Sequence, residues 1–518
     1  MIKIFIDDKP FEVEEGITVF TAAQQVGIEI PHFCYHPAFA PEGTCRMCLI
    51  EIEGVPKLEL ACAAVVKDGM KVSTNNEKVV EGRKGVLEFL LADHPMDCPI
   101  CDQAGDCKLQ DYYEKYGMFE SQYSDVKEKR DKKRKIGQTL IHDQERCVLC
   151  RRCVRFTREV TKTQELGVFE RGVHAEINIL EDALVENKYS GNLAQICPVG
   201  AITDLDFRFQ TRNWFLKSGD SICPLCSRGC SITVDSHKGF FRFKVPKRVY
   251  RIRSRKNPEV NKFWICDIGR YGYKYINENR LGQIVSRNEK AETLNWDIAL
   301  KLLSEILKKV HPMDRIAESV LLVNPWLTNE ELFLVKKFLV ENQAFKNVYL
   351  IDSPEGEGDD FLITSDRNPN KRGLQELGLT AKSLSSDNLP EKIKLVLAFC
   401  PPNIDSAGMA SVKAVLDQAE LKILFASNEN ELTNVADLVF PTAVIAEKGG
   451  SLINIDGLLQ KFSPALEAFE GSLPEWQILV ELAKKIDTNH KYYDHFSSPD
   501  TILQGIRKEI SDFGKKSD

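Results

Sequence analysis

The chain has 518 residues, of which 43% are hydrophobic, so it can form three or four domains of roughly 100–200 residues, each with its own core. Its formal net charge of -7 at pH 7 argues against nucleic acid as the main partner. No apolar run approaches the roughly 18 residues of a membrane helix, and the first residues alternate like a strand instead of forming the apolar block of a signal peptide, so we expect neither membrane insertion nor export.

Residues 1–78 predict a small mixed domain. A hairpin is expected from Lys3–Asp7 and Phe11–Glu14, followed by a short helix that Thr18 caps. Two further strands are predicted over Met47–Ile52 and Leu58–Val66.

Sixteen cysteines occur in the chain, and their distribution is uneven. Fifteen lie between Cys34 and Cys266, and only Cys400 follows. Disulfide-dense chains are usually small and secreted, unlike this one. The gradient therefore indicates a metal-rich first half and a cysteine-poor globular second half. Cys400 ends an apolar run, where we expect a small buried side chain without a function.

The first group of cysteines lies in the domain over residues 1–78. It consists of Cys34, Cys45, Cys48 and Cys62. Three thiols from one loop and a fourth from the following strands suit a [2Fe–2S] cluster, because thiolate is the soft ligand of iron–sulfur chemistry. Gly43 lets the loop fold tightly and direct N–H groups at sulfur. A zinc site is the alternative, although the spacing lacks the paired C-x2-C knuckles of structural zinc.

A helix is predicted over residues 76–92, because Val79, Leu87 and Leu91 share one apolar stripe. It leads into the second group, in a domain predicted over residues 79–120. This group consists of His94, Cys98, Cys101 and Cys107. The C-x2-C-x5-C run suggests a [4Fe–4S] cluster short of one ligand, which His94 can supply, and a neutral imidazole should raise the cluster potential. The alternative for His94 is a surface histidine favoured by the helix dipole.

A third group lies in a domain predicted over residues 138–215. It consists of Cys147, Cys150, Cys153 and Cys197. The C-x2-C-x2-C run followed by a later Cys-Pro is the arrangement of bacterial ferredoxins, and because only one such run exists, Cys197 most simply completes the same [4Fe–4S] cluster. Arg151, Arg152 and Arg155 surround the thiols and can offset their negative charge. The preceding run, residues 125–135, is almost entirely charged, and we interpret it as a solvated linker.

The fourth group lies in a domain predicted over residues 216–276. It consists of Cys223, Cys226, Cys230 and Cys266. C-x2-C-x3-C with a remote cysteine is consistent with a [4Fe–4S] site, and zinc remains a serious competitor, because four thiolates of loose spacing fit both metals.

The rest of the chain, residues 277–518, has a different sequence pattern. Strand-like runs over Ser319–Val323, Leu395–Phe399 and Ile423–Ala426 alternate with helix-like runs over Trp296–Val310 and Glu330–Asn342. This alternation, which also includes a strand at residues 348–351, predicts an α/β domain with a mainly parallel sheet. The expected fold class is therefore multidomain α+β and α/β.

At this point the chain resembles a known family, the large iron–sulfur subunits of bacterial NADH-quinone oxidoreductase, respiratory complex I. The resemblance rests on residues 30–36, 43–49, 60–63, 68–70, 94–110, 146–156, 171–172, 190–192, 196–200, 223–230 and 264–272. Residues 436–442, 447–450, 454–457 and 460 look like a molybdopterin oxidoreductase domain. The resemblance implies a ferredoxin-like (β-grasp) fold for the first domain and a degenerate molybdopterin oxidoreductase-like fold for the last.

The resemblance also implies a function. In the family, a flavin subunit oxidises NADH, and electrons then pass through the [2Fe–2S], His-ligated and third clusters to a quinone-side iron–sulfur subunit, while the fourth cluster lies off the main route. It implies one [2Fe–2S] and three [4Fe–4S] clusters, no catalytic residue in the chain, and a cytoplasmic location on the inner face of the cell membrane, reached only through the complex. The absence of a glycine-rich nucleotide fingerprint predicts that FMN and NAD are bound elsewhere. We also find no ligand for molybdenum and expect no molybdopterin.

Three other functions compete with this interpretation. An electron-input subunit of an NAD-linked hydrogenase or formate dehydrogenase shares the first two groups, but commonly carries two complete C-x2-C-x2-C-x3-C-P runs. The other two are a self-contained molybdenum enzyme and a structural protein whose fold is stabilised by zinc. Metal analysis separates them, because the electron carrier predicts about fourteen irons without molybdenum.

Overall fold

The computed structural model describes the chain except for residues 118, 119, 121, 181–183, 239–246, 288–291, 311–317, 386–387, 487–490 and 515–518. Its contacts divide the chain into two compact units, Met1–Leu216 and Lys217–Asp518. Among the described residues, no helix combines the length and the apolar character needed to cross a membrane.

The first unit is built from short strands and helices joined by long loops. In chain order these are β1 (Ile2–Ile6), β2 (Lys9–Val13), α1 (Val19–Gln25), β3 (Leu49–Ile52), β4 (Glu59–Leu60), β5 (Lys71–Ser73), α2 (Glu77–Asp93), α3 (Lys108–Tyr116), β6 (Arg134–Lys135), β7 (Leu140–His142), α4 (Arg152–Arg155), β8 (Leu166–Phe169), β9 (Glu176–Ile179), α5 (Asn192–Ile196) and β10 (Ile202–Asp204). A π-helical turn, Phe156–Val160, continues α4.

Five strands form the sheet of the N-terminal domain, in the order β2-β1-β5-β3-β4. The predicted hairpin is confirmed: β1 and β2 pair antiparallel, and Asp7 and Asp8 turn the chain with φ of 48° and 64°. Strand β5 pairs parallel to β1, and Thr18 caps α1 by accepting a hydrogen bond from the Thr21 amide. Apolar side chains such as Ile4 bury one face of this sheet under α1.

The elements that follow the hairpin agree with their predictions in part. The strand predicted over residues 58–66 is much shorter, because only Glu59–Leu60 pairs before a turn that carries Cys62. The helix predicted over residues 76–92 is observed as α2. Asn76 caps it, and its side chain accepts a hydrogen bond from the Val79 amide.

The second unit contains a small antiparallel sheet and a large mixed one. Its elements are β11 (Leu216–Ile222), β12 (Ser231–His237), β13 (Val249–Ser254), α6 (Asp267–Tyr271), β14 (Ile284–Ser286), β15 (Glu292–Leu294), α7 (Trp296–Val310), β16 (Ser319–Val323), α8 (Asn329–Leu334), β17 (Asn347–Leu350), α9 (Lys371–Glu376), β18 (Lys382–Ser383), β19 (Ile393–Phe399), α10 (Ser406–Asp417), β20 (Ala419–Ala426), α11 (Glu431–Val435), β21 (Leu438–Pro441), β22 (Gly450–Ile453), β23 (Leu459–Phe462), α12 (Glu475–Ile486) and α13 (Pro499–Glu509).

Eight strands form the large sheet, in the order β15-β14-β21-β20-β19-β16-β17-β18. The pairs from β21 to β18 are parallel, and β14 and β15 close one edge antiparallel. The predicted fold class is therefore confirmed. The central strands β16, β19 and β20 read as continuous apolar runs because helices cover both faces of a parallel sheet.

Candidate metal centres

The first group of thiols lies in the loop between α1 and β3 and in the turn after β4. Cys34, Cys45, Cys48 and Cys62 are all buried there. The Phe33 amide donates a hydrogen bond to the Cys45 sulfur at 3.4 Å. The pKa of Cys34 is lowered to about 5 by its hydrogen bond with Cys45, and the pKa of Cys48 is raised by its hydrogen bond with Cys62 and by burial. The charge of Cys34 also raises the pKa of Cys48, so all four thiols lie within electrostatic reach of one another.

The second group surrounds the end of α2. His94 is the residue that follows the helix, Cys101 is buried, Cys107 precedes α3 and Cys98 is exposed. Burial raises the pKa of Cys101 and of Cys107, the latter to about 11, and the charge of Cys98 adds to the shift at Cys101. Burial lowers the pKa of His94 instead, and the charge of Arg146 lowers the pKa of both His94 and Cys101. Arg146 therefore lies close to the imidazole and to the thiols at once.

The His94 imidazole is suited to bind a metal. Burial, and then the charges of Lys127 and Arg146, lower its pKa to about 4, so the ring is neutral at physiological pH. Its Nδ1 atom is buried and has no hydrogen-bond partner in the part of the chain that the structure describes. A neutral imidazole with an unpaired ring nitrogen fits a ligand better than the surface histidine that the sequence left as an alternative.

The charged run that precedes the third group contacts the second one, which corrects the prediction of a solvated linker. Many of its side chains are exposed. Lys127 Nζ, however, donates hydrogen bonds to the carbonyl oxygens of Leu91 at 2.5 Å and His94 at 2.8 Å. Lys132 contacts Asp97 at 3.0 Å, in the same loop. Residues 125–135 therefore form an ordered segment over the end of α2, which we call the strap. Lys127 donates hydrogen bonds to carbonyl oxygens that would otherwise lack a partner at the end of the helix.

The third group lies where α4 begins and where α5 ends. Cys147, Cys150, Cys153 and Cys197 interact electrostatically, and burial raises the pKa of each, to about 12 for Cys150. The loop needs left-handed backbone at Leu149 and Arg151, with φ of 49° and 60°. The Leu149 amide donates to the Cys147 sulfur at 3.4 Å. Amides aimed at sulfur favour the thiolate, which is the form that binds metal.

These three groups share one apolar cluster, and the third group lies between the other two. Cys34, Cys150 and Cys107 all belong to or pack against this cluster. The charge of Cys34 contributes to the pKa that burial raises at Cys150, and the charge of Cys197 does the same at Cys107. The third group therefore adjoins both of the others. This adjacency favours the order first, third, second over the expected route from the first group through the second to the third, and the route itself stays a prediction.

The fourth group lies in the second unit, between the small sheet and α6. Cys223, Cys226, Cys230 and Cys266 are all buried. Burial raises the pKa of Cys266 to about 11, and the charge of Cys226 adds to the shift. The Gly269 amide donates to the Cys266 sulfur at 3.3 Å. A Cβ atom on Gly269 would lie 3.1 Å from the Cys223 sulfur, so the small residue leaves room for the thiol.

Two remote segments hold the loop between Cys226 and Cys230. Gln460 donates from its side-chain amide to the Gly229 carbonyl at 2.9 Å, and Asn454 donates to the Arg228 carbonyl at 3.3 Å. The Ser227 amide donates to the Asp366 carbonyl at 3.0 Å, in the second segment. Here the α/β domain fixes a ligand loop that lies more than a hundred residues earlier in the chain.

Several of these supporting residues were missed by sequence reasoning. Arg83 is fully buried on α2, where it donates to the Tyr116 hydroxyl at 3.1 Å and the Leu49 carbonyl at 2.8 Å. Its position on the apolar stripe, four residues from both Val79 and Leu87, could have indicated a buried cation. Cys400 is buried within the large sheet of the second unit, where its amide donates to the Phe425 carbonyl.

The chemistry of the donor atoms in the four groups fits iron–sulfur clusters. Each group supplies three or four sulfur atoms, which are the soft ligands that such clusters require. The second group adds the unpaired His94 Nδ1 atom, and backbone amides donate to sulfur in the other three groups. Hydrogen bonds of this kind are one of the means by which a protein sets a cluster's potential.

Family models match along the chain in the same order as the four groups. They describe a 2Fe-2S iron-sulfur cluster binding domain over residues 1–77, an NADH-ubiquinone oxidoreductase-G iron-sulfur binding region over 83–122, a ferredoxin-like domain of NADH-quinone oxidoreductase subunit 3 over 137–203, a molybdopterin oxidoreductase Fe4S4 domain over 216–278, and a molybdopterin oxidoreductase domain over 356–485. Both [2Fe–2S] and [4Fe–4S] binding domains are thus present.

Curated relatives extend the likeness. An NADH-quinone oxidoreductase subunit of Rhizobium meliloti is 39% identical over 345 residues, which are 65% of this chain and 39% of that protein. The NADH-ubiquinone oxidoreductase 75 kDa subunit of Reclinomonas americana is 38% identical over 68% of this chain and 49% of its own length. Subunit 3 of the Thermus thermophilus NADH-quinone oxidoreductase is 36% identical over 60% of this chain and 43% of that protein. The chain spans half or less of the length of these relatives.

A solved structure is a weaker match. A chain in the crystal structure of an NAD+-reducing [NiFe]-hydrogenase, in its H2-reduced state, is 29% identical, and the match covers 40% of this chain and 90% of that one with a TM-score of 0.37.

Proposed function

We infer that this chain, which belongs to the family of the large iron–sulfur subunits of NADH-quinone oxidoreductases, is an electron-transfer subunit of such an enzyme. It carries electrons from an NADH-oxidising flavin subunit toward a quinone-side iron–sulfur subunit, and the whole complex couples this transfer to proton translocation. We place it at the cytoplasmic face of the cell membrane, held there through its partners.

Four sets of residues would hold four clusters. A [2Fe–2S] cluster would be held by Cys34, Cys45, Cys48 and Cys62, and [4Fe–4S] clusters by His94, Cys98, Cys101 and Cys107, by Cys147, Cys150, Cys153 and Cys197, and by Cys223, Cys226, Cys230 and Cys266. Bound clusters supply one-electron transfer. We assign them to domains over 1–78, 79–120, 138–215 and 216–276, and propose that 277–518 is a scaffold without molybdopterin.

One observation carries this proposal: the first three groups of thiols adjoin one shared apolar cluster. The side chains of Phe33, Met47 and Val148 fill the space among the thiols and exclude water. Dry packing lowers the local dielectric and limits reorganisation around the thiols. These residues therefore keep neighbouring sites close while insulating them from solvent.

Protein groups around each site set how readily it is reduced. The neutral His94 ring replaces an anionic thiolate, which favours a higher potential. Lys127 and Arg146 bring positive charge to the same site, and Asp97 partly offsets it. At the third and fourth sites, amide N–H groups aimed at sulfur also favour a higher potential.

Anaerobic reconstitution of the full chain tests the function. Supplied with iron, sulfide, zinc and molybdate, it should bind about fourteen irons and give one [2Fe–2S] and three [4Fe–4S] EPR signals on reduction. Substituting His94→Ala should remove or alter one [4Fe–4S] signal and leave the [2Fe–2S] signal intact. The matched control, Cys400→Ala, should leave every signal unchanged. A colourless chain that takes up zinc would overturn the proposal.

A further inference from the structure

The side chain of Arg152 lies between the first and the third group of thiols. It is 9% exposed and stands at the start of α4, two residues after Cys150. One terminal nitrogen donates to the Ile196 carbonyl at 3.1 Å, and the other donates to the Tyr35 carbonyl at 2.5 Å. Ile196 immediately precedes Cys197, and Tyr35 immediately follows Cys34. One planar guanidinium therefore joins the backbone of two different ligand loops.

A second arginine supports the same loop from the next turn. Arg155 donates to the Cys34 carbonyl at 3.3 Å and, through its other terminal nitrogen, to the Ala40 carbonyl. Glu42 and Glu159 lie near the Arg155 guanidinium and can balance its charge. Both arginines donate hydrogen bonds to carbonyl oxygens, but Arg155 in addition has carboxylates within ion-pair distance.

The charge of Arg152 has no carboxylate partner within ion-pair distance among the described residues, and its Nε atom is buried without a hydrogen bond. Burying an unpaired cation is costly, so such a group is retained where another negative charge is bound nearby. Cys150 and Cys153 flank Arg152 in the chain, and its guanidinium donates to the Ile196 carbonyl next to Cys197. The thiolates that would hold the third cluster therefore lie around this charge.

We propose that Arg152 is a positioning residue that fixes the first cluster relative to the third and gives both a shared positive charge; this rests on the electron-transfer function proposed above. The guanidinium offers two donors in a rigid plane, so it sets the separation of the two carbonyls as well as their directions. Electron tunnelling weakens steeply with distance, and a loop that drifts away from its neighbour would slow transfer between the two sites.

Two substitutions separate the charge of Arg152 from its geometry. Arg152→Lys keeps the charge and loses the planar fork, so it can hold one loop but not both. Arg152→Gln loses both. The matched control is Arg158→Gln, which removes the same charge from the turn after α4, where the side chain is 57% exposed and pairs with Glu159 at 2.6 Å.

The test uses the full chain reconstituted anaerobically. EPR of the reduced protein gives the midpoint potentials of the [2Fe–2S] cluster and of the third cluster, and the relaxation enhancement of the [2Fe–2S] signal by its reduced neighbour reports their separation. Arg152→Gln should shift both potentials downward and reduce the relaxation enhancement. Arg152→Lys should leave both potentials near those of the wild type and still reduce the enhancement. Arg158→Gln should leave the enhancement unchanged.

The possible results distinguish the positioning role of Arg152 from the electron-transfer function on which it rests. Wild-type relaxation enhancement in the Lys variant overturns the positioning role, and so does an equal loss of enhancement in the Arg158 control. If Arg152→Gln takes up no iron, the relaxation enhancement measured in Arg152→Lys tests the positioning role by itself. A wild-type chain that assembles no clusters would refute the proposed function, whereas clusters that are indifferent to Arg152 would refute only this inference.

Discussion

At Gly200 the chain passes so close to a thiol that no side chain fits. A Cβ atom there would lie 2.3 Å from the Cys101 sulfur and 3.1 Å from the Gln103 Cβ atom. Because Gly200 is buried, the methyl group of Gly200→Ala has no free space to enter. We expect this variant to lose the EPR signal of the second site and its iron, and to retain the [2Fe–2S] signal.

Gly85 on α2 provides the matched control for that substitution. A Cβ atom at Gly85 would meet nothing within 4 Å. Alanine is the better helix former, so Gly85→Ala should raise the free energy of unfolding by up to about 1 kcal/mol and leave all signals intact. Normal second-site signals in Gly200→Ala would show that the thiol can move aside and that the close approach is unimportant.

Lys127 combines two effects at the end of α2. Its ammonium group donates to the carbonyls of Leu91 and His94 and places a positive charge beside the imidazole. Lys127→Met should lower the potential of the second site and reduce the free energy of unfolding by about 1 kcal/mol. Redox titration monitored by EPR and urea unfolding measure the two effects. Lys129→Met, an exposed position on the same strap, should change neither, and an equal shift there would assign the effect to the general charge of the strap.

The sequence indicates the candidate metal ligands better than it indicates the residues that hold the ligand loops in place. Cysteine spacing restricts how thiols can gather, and thiols of each predicted group interact electrostatically in the structure. Among the described residues, no three histidine, cysteine or carboxylate side chains are arranged to hold a single metal ion, so their role as ligands stays a prediction. Lys127 carries no such spacing signal, and Arg83 is indicated only by its place on the apolar stripe of α2. Their roles depend on which carbonyl oxygens lie within reach after folding, and a charged run looks the same in a sequence whether it is solvated or ordered.

Among the elements, the loop from Cys226 to Cys230 depends on contacts from far along the chain. Gln460 on β23 and Asn454 after β22 donate to two successive carbonyls of this loop. Removing the amide by Gln460→Ala leaves the Gly229 carbonyl without its buried donor, which should cost about 1–3 kcal/mol locally. We expect weaker iron retention at the fourth site and unchanged signals from the other three.

Iron release to a chelator, followed by EPR, measures that loss. Gln375→Ala removes an exposed glutamine on α9 in the same unit and should have no effect. Equal iron retention in Gln460→Ala and the wild type would mean that the thiols hold the loop without help.

Secondary structure was predictable wherever periodicity was strong. The helix over residues 296–310 and the strand over 319–323 have the predicted bounds, because long apolar patterns leave few alternatives. The predicted helix over 330–342 is present, but residues 335–342 are wound as a π-helix, which the pattern cannot distinguish from an α-helix. Strand β5 was missed because three residues are too few to show alternation.

At the scale of the whole second unit, buried carboxyl groups make stability depend on pH. Glu330 is 1% exposed, accepts hydrogen bonds from the Ser451 amide and hydroxyl, and has its pKa raised by burial to about 7. The folded state therefore binds a proton that the unfolded chain has lost above its ordinary pKa of 4.5. The contribution of Glu330 to the free energy of unfolding is fully present below pH 4.5 and disappears as the pH rises to about 7, which lowers that free energy by about 3 kcal/mol.

Substituting Glu330→Gln should remove this pH dependence, because the amide stays neutral. Urea midpoints between pH 5 and pH 8 should decline less in the variant than in the wild type, by an amount that corresponds to about 3 kcal/mol. Tryptophan fluorescence reports the transition, since four of the five tryptophans lie in this unit. Glu481→Gln, at a half-exposed position, is the control, and a parallel decline in Glu330→Gln would contradict the assignment.

For the whole molecule, the sequence predicted the fold class but not the spatial arrangement of the candidate sites. Alternating strand and helix patterns predicted the parallel sheet, because crossover connections allow few other topologies. The order of the three sites in the first unit could not be derived from their order in the chain. It depends on how the residue 34 loop and the residue 197 loop meet, which long-range packing decides.

Cys98 is exposed, whereas the fifteen other proposed ligands are buried or half-buried. In the metal-free chain, an accessible sulfhydryl meets alkylating reagents first, so brief iodoacetamide treatment should label this position ahead of the others, as peptide mass spectrometry can establish. In the iron-loaded chain we expect the same opening to admit dioxygen, so air should bleach the cluster proposed at the second site before the clusters proposed at the other three. Purification in air would then select for molecules that have lost iron from the second site alone.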